Sequence, residues 1–384
     1  MGHRVLGMGL TGPVLTELER GILRESPPAA VVLFGRNIQD REQLLELVSE
    51  IKAQSDVPPL VMIDEEGGRV DRLRDLIPGL PSAQFFSEGG HAEELAEWFG
   101  TIVGRALRYF DIDVNLAPVV DIHRDDSAKG LERRCFGDDA PTVIRLAGAF
   151  MRGQQSVGVA SCLKHFPGLG LATDDTHYGS TVIDVSKDRL LGEDLVPYIA
   201  LANDAGAVMI GHGIYPQLDA GLPATLSRVI ATDLLRASVG FRGVAFSDDM
   251  EMHAVSDLGS YPDISLRALR AGNDLIMICS HVEIISEVMD HLERCASEKT
   301  EVGVRLREAV GRVEDFRGHC AALGASARVE AGAFDDLLEE VEEFHRASDR
   351  SRSEETDGSG DSHFDRRREP RSGGTGRTGR EEWT

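Results

Sequence analysis

The sequence has few lysines and no excess of positive charge. Only five of its 384 residues are lysine, and Lys and Arg together number 41 against 65 Asp and Glu, which gives a net charge of −24. A surface with this charge repels the phosphate backbone of nucleic acids. We therefore do not expect a nucleic-acid partner.

Long apolar runs and paired cysteines are also missing. The apolar runs are far shorter than a membrane span, and the first residues, MGHRVLGMGL, have no basic stretch ahead of a long apolar one. The five cysteines are scattered without C-x-x-C spacing, which argues against a disulfide framework or a zinc site. We expect a cytoplasmic monomer with no membrane partner, no metal and no cofactor.

Short apolar runs recur along the first three quarters of the chain, and helix-like segments such as 40–54 lie between them. Continuous apolar runs are typical of strands buried on both faces of a parallel sheet. Eight such units at this length match a single (β/α)8 barrel of the TIM type. The eight runs are 3–10, 29–35, 59–64, 113–122, 159–166, 206–213, 243–249 and 274–280. The connections 64–113 and 122–159 are long enough to hold extra elements.

The C-terminal end differs from the rest in composition. A helix-like segment at 332–347 is followed by residues with almost no apolar side chains and many Ser, Gly, Arg and Glu. Such a segment cannot bury enough surface to offset the entropy lost on ordering. We therefore predict one barrel domain over residues 1–346 and a disordered polar tail over 347–384.

Polar residues stand where several of the predicted strands end. Each one alone could be a helix cap or a turn residue. Because the carboxyl ends of all barrel strands converge on one face, where such barrels carry their active sites, the set as a whole favours a functional site. The residues are Asp64, Asp121, Lys164, His165, His212, Asp248 and Asp249.

The stretch KHFPGLGLATDDTH, residues 164–177, adds an acid, a base and several glycines to this face. Hydrolysis of a glycosidic bond needs a nucleophile or base and a proton donor. An Asp at a strand end could be the nucleophile, and His177, close to Asp175, could be the donor because a nearby carboxylate favours the imidazolium form. A Lys164-dependent aldolase and a sugar-binding barrel without catalysis stay open as alternatives.

Several sequence blocks follow one another in a fixed order. They are VVLFGRNI (31–38), IDEEGGRV (63–70), NLAPVVDI (115–122), RCFGDD (134–139), KHFPGLG and DDTH (164–177), VMIGHGIYP (208–216), PATLS (223–227) and GFRGVAFSDDMEM (240–252). A single GGR or SDD would mean little, but the ordered set is specific. It resembles glycoside hydrolase family 3, in its single-domain β-N-acetylglucosaminidase branch, and the similarity runs from about residue 3 to about residue 320.

The resemblance implies a retaining, exo-acting β-N-acetylhexosaminidase that removes terminal β-linked GlcNAc from small glycans or cell-wall-derived muropeptides. It implies that Asp248 is the nucleophile, which forms a covalent glycosyl–Asp intermediate, that His177 is the acid/base and that Asp175 is the partner of His177. It also implies a group of residues that bind the sugar hydroxyls in the −1 subsite: Asp64, Arg134, Lys164 and His165.

The chain departs from the family pattern at three positions. Leu169 replaces the usual histidine of the P-G-H-G loop, Glu65 stands where Gln is common, and Thr176 replaces Ser. A β-glycoside phosphorylase and another β-glycosidase of the family, such as a β-glucosidase, stay open as alternative activities. For Arg134, an ion pair with a neighbouring acid such as Asp138 is the competing interpretation.

Overall fold

The eight predicted runs form eight parallel strands that close into one barrel. The computed structural model describes residues 1–87, 91–124, 130–172, 181–326 and 333–358. Its strands are β1 (Leu6–Gly9), β2 (Ala30–Leu33), β3 (Leu60–Ile63), β4 (Glu65–Gly67), β5 (Val70–Asp71), β6 (Val114–Asn115), β7 (Ala160–Phe166), β8 (Gly206–Ile210), β9 (Val244–Asp249) and β10 (Leu275–Ile278). The order around the barrel is β1-β10-β9-β8-β7-β6-β3-β2, while β4 and β5 form a separate hairpin. The predicted (β/α)8 barrel is confirmed.

Helices lie between the strands and cover the barrel. They are α1 (Glu17–Glu25), α2 (Arg41–Ala53), α3 (Ala92–Tyr109), α4 (Ala140–Ser156), α5 (Lys187–Gly192), α6 (Val196–Ala205), a π-helix (Val229–Ser238), α7 (His253–Ser256), α8 (Tyr261–Ala271), α9 (Ile285–Glu298), α10 (Thr300–Ser326) and α11 (Ala333–Gly358). Several begin at side-chain caps: Thr16 and Glu19 form a capping box at α1, and Asp40 caps α2. These caps satisfy backbone N–H groups that have no partner within the helix, and they fix where the helix starts.

Side chains of the barrel strands alternate between the interior and the helix layer. The interior residues form one buried cluster, which includes Leu60 and Met62 of β3, Ala160 and Cys162 of β7, and Val244 and Phe246 of β9. Residues between them, such as Val61, Leu163 and Ala245, belong to the cluster shared with the helices. Since this alternation has a period of two, the next interior positions are Asp64, Lys164 and Asp248. Polar side chains therefore cap an apolar interior at its carboxyl end.

The long connection between β3 and β6 holds the β4–β5 hairpin and then α3. Gly67 in this hairpin has a φ of 78°, and a Cβ there would lie 2.2 Å from the carbonyl oxygen of Pro81. Only glycine fits this backbone and this contact. The GG of IDEEGGRV is thus explained by the turn that brings β5 back beside β4.

The opposite, amino-terminal end of the barrel is covered by α10. Val313, Phe316 and Cys320 of this helix join the interior cluster, and the Phe316 ring lies 5.7 Å from the Phe246 ring. The end of the barrel remote from Asp64 and Asp248 is therefore closed by apolar packing.

Helix α11 packs on α3 through aromatic side chains. The rings of Phe344 and Trp98 are 5.4 Å apart, and the Trp98 indole N–H donates to Glu340 at 2.8 Å. The helix continues to Gly358, past the predicted end of the barrel domain at residue 346. Residues 347–358 are mostly polar and contain no proline. The helix that begins at Ala333 is therefore not interrupted after residue 346. The predicted tail beyond 358 lies outside the described residues.

The described part of the chain contains no helix that is both long and apolar enough to cross a membrane. All five cysteines are free thiols with buried side chains.

Candidate active site

Three polar residues predicted from the strand ends meet at the carboxyl end of the barrel. Asp64 directly follows β3, Lys164 lies in β7 and Asp248 lies in β9. The thiol of Cys162, one interior position below Lys164, is close enough to all three to be affected by their charges. The alternation of the strands thus places two half-buried carboxylates and one buried ammonium around the mouth of the barrel.

Lys164 and Arg134 share a carboxylate that the sequence analysis missed. The Lys164 ammonium lies 2.5 Å from Asp64 Oδ1 and 2.6 Å from Glu66 Oε1. The Arg134 guanidinium binds both Glu66 oxygens at 2.8 Å through Nε and Nη2. Arg134 therefore pairs with an acid, as the competing interpretation expects, but this acid is Glu66 and not Asp138. The chain Asp64–Lys164–Glu66–Arg134 is one continuous network of charge-assisted hydrogen bonds.

The network keeps its members charged although they are buried. Burial alone would raise the pKa of Glu66, but the charges of Arg134 and Lys164 hold that pKa well below its usual range. Burial would likewise lower the pKa of Lys164, but Asp64 and Glu66 raise it above its usual value. The site therefore presents a fixed ammonium and a fixed guanidinium to any hydroxyl group in the mouth.

This environment disfavours the Lys164 aldolase alternative. A Schiff-base lysine must lose its proton to attack a carbonyl, and enzymes achieve this by lowering its pKa. Lys164 has a raised pKa and two carboxylate partners. Its nitrogen is thus a hydrogen-bond donor, not a nucleophile.

His165 is held by Asp121, at the carboxyl end of the neighbouring β6 segment. The Asp121 carboxylate lies 2.9 Å from His165 Nδ1 and also accepts from the backbone N–H of Leu169 at 2.7 Å. Leu169, one of the three departures from the family pattern, has a buried side chain. Asp121 therefore fixes both the imidazole and the first turn after β7, and this turn does not need a histidine at position 169.

The end of β9 is fixed by His212. Its Nε2 donates to the carbonyl oxygen of Asp249 at 2.8 Å, and its Nδ1 lies 2.6 Å from the hydroxyl of Thr225. These contacts join the VMIGHGIYP, PATLS and SDD blocks in the fold. Asp249 is itself an unusual acid, because burial raises its pKa to about 7. Asp248, beside it, is thus set on a backbone that neighbouring strands hold in place.

Arg72 is a second residue that the sequence analysis missed. Its guanidinium lies 4.0 Å from Asp64 Oδ2 and stacks at 5.7 Å over the Phe34 ring. Both Glu66 and Arg72 belong to the β4–β5 hairpin region. This region returns toward the barrel, but no run of apolar residues in the sequence indicates that it does. The available signal was the spacing of Asp64 and Glu66, since residues two apart on an extended chain share a face.

Two residues implied to do the chemistry, Asp175 and His177, lie outside the described residues. The structure places Asp248 and the four implied sugar-binding residues Asp64, Arg134, Lys164 and His165. The roles of all seven stay predictions.

A (β/α)8 barrel with carboxylates and cations around its carboxyl end belongs to the class of barrel enzymes that carry their active site at this end. Comparison with known proteins narrows this class. The family described as Glycosyl hydrolase family 3 N terminal domain matches residues 14–315. The chain belongs to glycosyl hydrolase family 3 and is a glycoside hydrolase, as the motifs predicted.

Similar proteins carry names that agree with the predicted activity. A beta-hexosaminidase of Stenotrophomonas maltophilia strain K279a is 38% identical over 314 residues, which are 80% of this chain and 92% of that protein. A beta-hexosaminidase of Vibrio cholerae O1 strain M66-2 is 36% identical over 289 residues, covering 75% and 86% of the two chains.

Solved structures show the same fold. A family 3 beta-N-acetylglucosaminidase from Paenibacillus sp. str. FPU-7 has a TM-score of 0.80 at 30% identity, covering 90% of this chain and 68% of that one. NagZ from Neisseria gonorrhoeae, solved with N-trifluoroacetyl-D-glucosamine, has a TM-score of 0.71 at 28% identity, covering 85% and 98%.

Proposed function

We propose that this chain is a retaining, exo-acting β-N-acetylhexosaminidase that releases terminal β-linked GlcNAc from small glycans or cell-wall-derived muropeptides. The observation that carries the proposal is the placement of Asp248 on the same barrel mouth as the Asp64–Lys164–Glu66–Arg134 network. A carboxylate that can attack and a set of charged groups that can hold a sugar ring are there together. The preference for a 2-acetamido sugar is supported by the names of the relatives.

Sugar hydroxyls fit the charged groups of the mouth. A hydroxyl can donate to the Asp64 carboxylate and accept from the Lys164 ammonium. The Lys164 Nζ atom lies 2.5 Å from Asp64 Oδ1, so one hydroxyl can reach both groups. The resemblance adds His165 and Arg134 as further donors. Because Asp121 holds His165 and the ion network holds the other three side chains, binding a sugar costs little side-chain reorganisation.

The reaction then runs in two steps. His177 gives a proton to the leaving oxygen as an Asp248 carboxylate oxygen attacks the anomeric carbon, so that the glycosidic bond breaks and an ester forms. His177, now neutral, takes a proton from water, whose oxygen attacks the same carbon and releases Asp248. Two inversions give net retention of the β configuration. Asp175 keeps His177 in the orientation and charge state that the first step needs.

The test is hydrolysis of p-nitrophenyl β-GlcNAc by the full chain. Asp248→Ala should lower kcat/KM by at least about 10³-fold, and His177→Ala by about 10²- to 10⁴-fold. Asp233→Ala, a change of an exposed acid outside the mouth, is the matched control. Full activity of Asp248→Ala would remove the proposal.

Azide separates the two roles. With a dinitrophenyl leaving group, which needs no acid, azide should attack the glycosyl–enzyme of His177→Ala and give a β-glycosyl azide, whereas Asp248→Ala should give the α product. Identical products from both variants would contradict the assignment.

Substrate and acceptor panels decide between the remaining alternatives. Cleavage of the β-glucoside in preference to the β-GlcNAc glycoside would identify a β-glucosidase. Appearance of GlcNAc 1-phosphate in phosphate buffer would identify a phosphorylase. Binding of GlcNAc without turnover of any glycoside would identify a sugar-binding barrel.

We propose a cytoplasmic location because all five cysteines are free thiols, as is usual in a reducing compartment. We propose further that the chain is a monomer. Size-exclusion chromatography with light scattering gives the mass in solution, and fractionation of cells gives the compartment.

A further inference from the structure

Two acidic side chains face each other inside the β4–β5 hairpin. Glu65 of β4 and Asp71 of β5 are paired in the register of the hairpin, and their side chains are within hydrogen-bonding distance. Both are buried, with 0% and 4% of their surface exposed. We call these two residues the carboxyl pair. The same hairpin region carries Glu66 and Arg72, and Asp64 directly precedes it.

Two buried oxygens of the carboxyl pair lack a hydrogen-bond donor unless the pair holds a proton. Glu65 Oε2 accepts from the backbone N–H groups of Arg72 at 2.8 Å and Leu73 at 3.0 Å. Glu65 Oε1 and Asp71 Oδ1 are buried, and neither has a donor among the described residues. Two ionised carboxylates would leave both oxygens unpaired and would repel each other. One proton between them supplies the missing donor.

The charges around the pair do not remove this need. Arg72, Arg74 and Asp75 face it from the same segment of chain. The two arginines favour the ionised carboxylates, and Asp75 offsets part of their effect. The neighbouring strand β6 contributes only the amide of Asn115, which binds the backbone of Glu65. Burial and the charge of Asp71 raise the pKa of Glu65 well above its usual value, and burial raises the pKa of Asp71 to about 6.

We propose that Glu65 and Asp71 share one proton, and that this proton positions the hairpin region that supplies Glu66 and Arg72 to the active site. Glu65 is thus a positioning residue that acts through its neighbours. Loss of the shared proton leaves two buried charges side by side and loosens the hairpin. The inference concerns this hairpin in any reaction of the site, and only its activity measurement rests on the proposed function.

Glutamine at position 65 is the matched chemical change. Its amide oxygen can accept from Arg72 and Leu73 as Glu65 Oε2 does, and its N–H can donate to Asp71 without any titratable proton. Glu65→Gln should therefore keep the hairpin closed at every pH at which the rest of the protein is folded.

The first measurement is denaturant unfolding of the full chain across a range from about pH 4 to about pH 9. The folded protein binds one more proton than the unfolded one wherever the pH lies between the ordinary glutamate pKa and the raised one. In that window, rising pH should lower the folding equilibrium constant of the wild type relative to Glu65→Gln by up to about tenfold per pH unit. Below the window the two proteins should run parallel.

Glu19→Gln is the control. Glu19 is as buried as Glu65, but its carboxylate accepts from the backbone of Thr11 and from Thr16, and it faces no second acid in this contact. Its pH slope should follow the wild type. Asp71→Asn, which also removes the shared proton, should flatten the slope as Glu65→Gln does, and it carries the test if Glu65→Gln does not fold.

The second measurement is the pH profile of KM and kcat. Wild-type KM for the β-GlcNAc glycoside should rise above neutral pH, and Glu65→Gln should delay that rise, because Glu66 and Arg72 then stay in place. Parallel unfolding profiles of wild type, Glu65→Gln and Asp71→Asn would overturn the proposal. If the pH dependence of unfolding is flattened in Glu65→Gln and Asp71→Asn but neither the wild type nor any variant hydrolyses the glycoside, the shared proton is supported and the proposed function is contradicted.

Discussion

Lys164 Nζ lies 2.6 Å from Glu66 Oε1, inside a barrel mouth where neither side chain is more than slightly exposed. Glu66 also binds the Arg134 guanidinium through both oxygens. One carboxylate therefore serves as the counterion of two cations. Removing one member of a buried ion network leaves the other charges uncompensated, which costs far more than the network contributes as a whole.

Glu66→Gln should destabilise the protein and weaken substrate binding. We expect a loss of about 3–5 kcal/mol in the free energy of unfolding at neutral pH and a higher KM. The folded pKa of Glu66 is depressed, so its contribution to stability is present above the usual glutamate value of 4.5 and is lost as pH falls toward the folded pKa. Denaturant unfolding at neutral and acidic pH should show the difference between wild type and variant shrinking on acidification.

Glu340→Gln is the matched control for this experiment. Glu340 pairs with Arg105 and Trp98 between α11 and α3, away from the barrel mouth. Its replacement should affect stability without changing KM. Equal KM values for the two variants would contradict the role assigned to Glu66.

Asp121→Asn should act through His165. Asp121 accepts from the His165 ring and from the backbone of Leu169, so an amide in its place loses the charge and part of the acceptor capacity. We expect kcat/KM to fall by about tenfold or more, as for residues that orient a site group. A double-mutant cycle with His165→Ala checks the pathway: the double variant should be little worse than His165→Ala alone. Additive losses would mean that Asp121 acts independently of the imidazole.

The strand ends were predictable because the chemistry of a barrel strand is periodic. Asp64, Lys164 and Asp248 each follow two apolar interior residues at spacing two, and this pattern is visible in the sequence. The partner of Lys164 was not predicted, because Glu66 stands in a short hairpin that no apolar run marks. The hairpin depends on Gly67, where a side chain would clash with the carbonyl oxygen of Pro81. The three acids of DEEGG look equivalent in the sequence. The fold places Glu65 in the carboxyl pair and Glu66 in the network with Lys164.

The limit of the C-terminal prediction has a different cause. Composition shows that residues after 346 cannot bury much surface, but it does not show where a helix ends. Once α11 is anchored on α3 by Phe344, polar residues without proline continue it to Gly358 at little cost. Burial and helix continuation are separate questions, and the apolar count addresses only the first.

Phe344→Ala tests whether α11 belongs to the folded domain. The ring contacts Trp98, Phe86 and Phe99 and is 1% exposed, so its removal should cost about 3–5 kcal/mol of unfolding free energy. Val304→Ala, at an exposed position, should change stability by less than about 0.5 kcal/mol. If both variants melt like the wild type, α11 does not contribute to the cooperative core.

A second buried ion network surrounds Asp274, which directly precedes β10 and therefore lies at the end of the strand opposite the barrel mouth. Asp274 is fully buried and binds Arg236 and Arg305 at 2.7 Å and Arg312 at 3.0 Å. It also accepts from the backbone N–H of Ala245 in β9. Burial lowers the pKa of Arg236 to about 10 although Asp274 opposes this shift, which shows how much the cluster depends on its one acid.

Asp274→Asn should therefore destabilise the barrel without entering its chemistry. The neutral amide leaves three guanidinium groups partly buried around a site with no anion, and we expect a loss of about 3–5 kcal/mol in the free energy of unfolding. Asp233→Asn breaks an exposed pair with Arg228 and should cost less than about 1 kcal/mol. Because no group of this cluster contacts the barrel mouth, kcat/KM per folded molecule should equal that of the wild type at a temperature where both are folded. A loss of activity without a loss of stability would place Asp274 in the catalytic machinery and refute its assignment as a purely structural counterion.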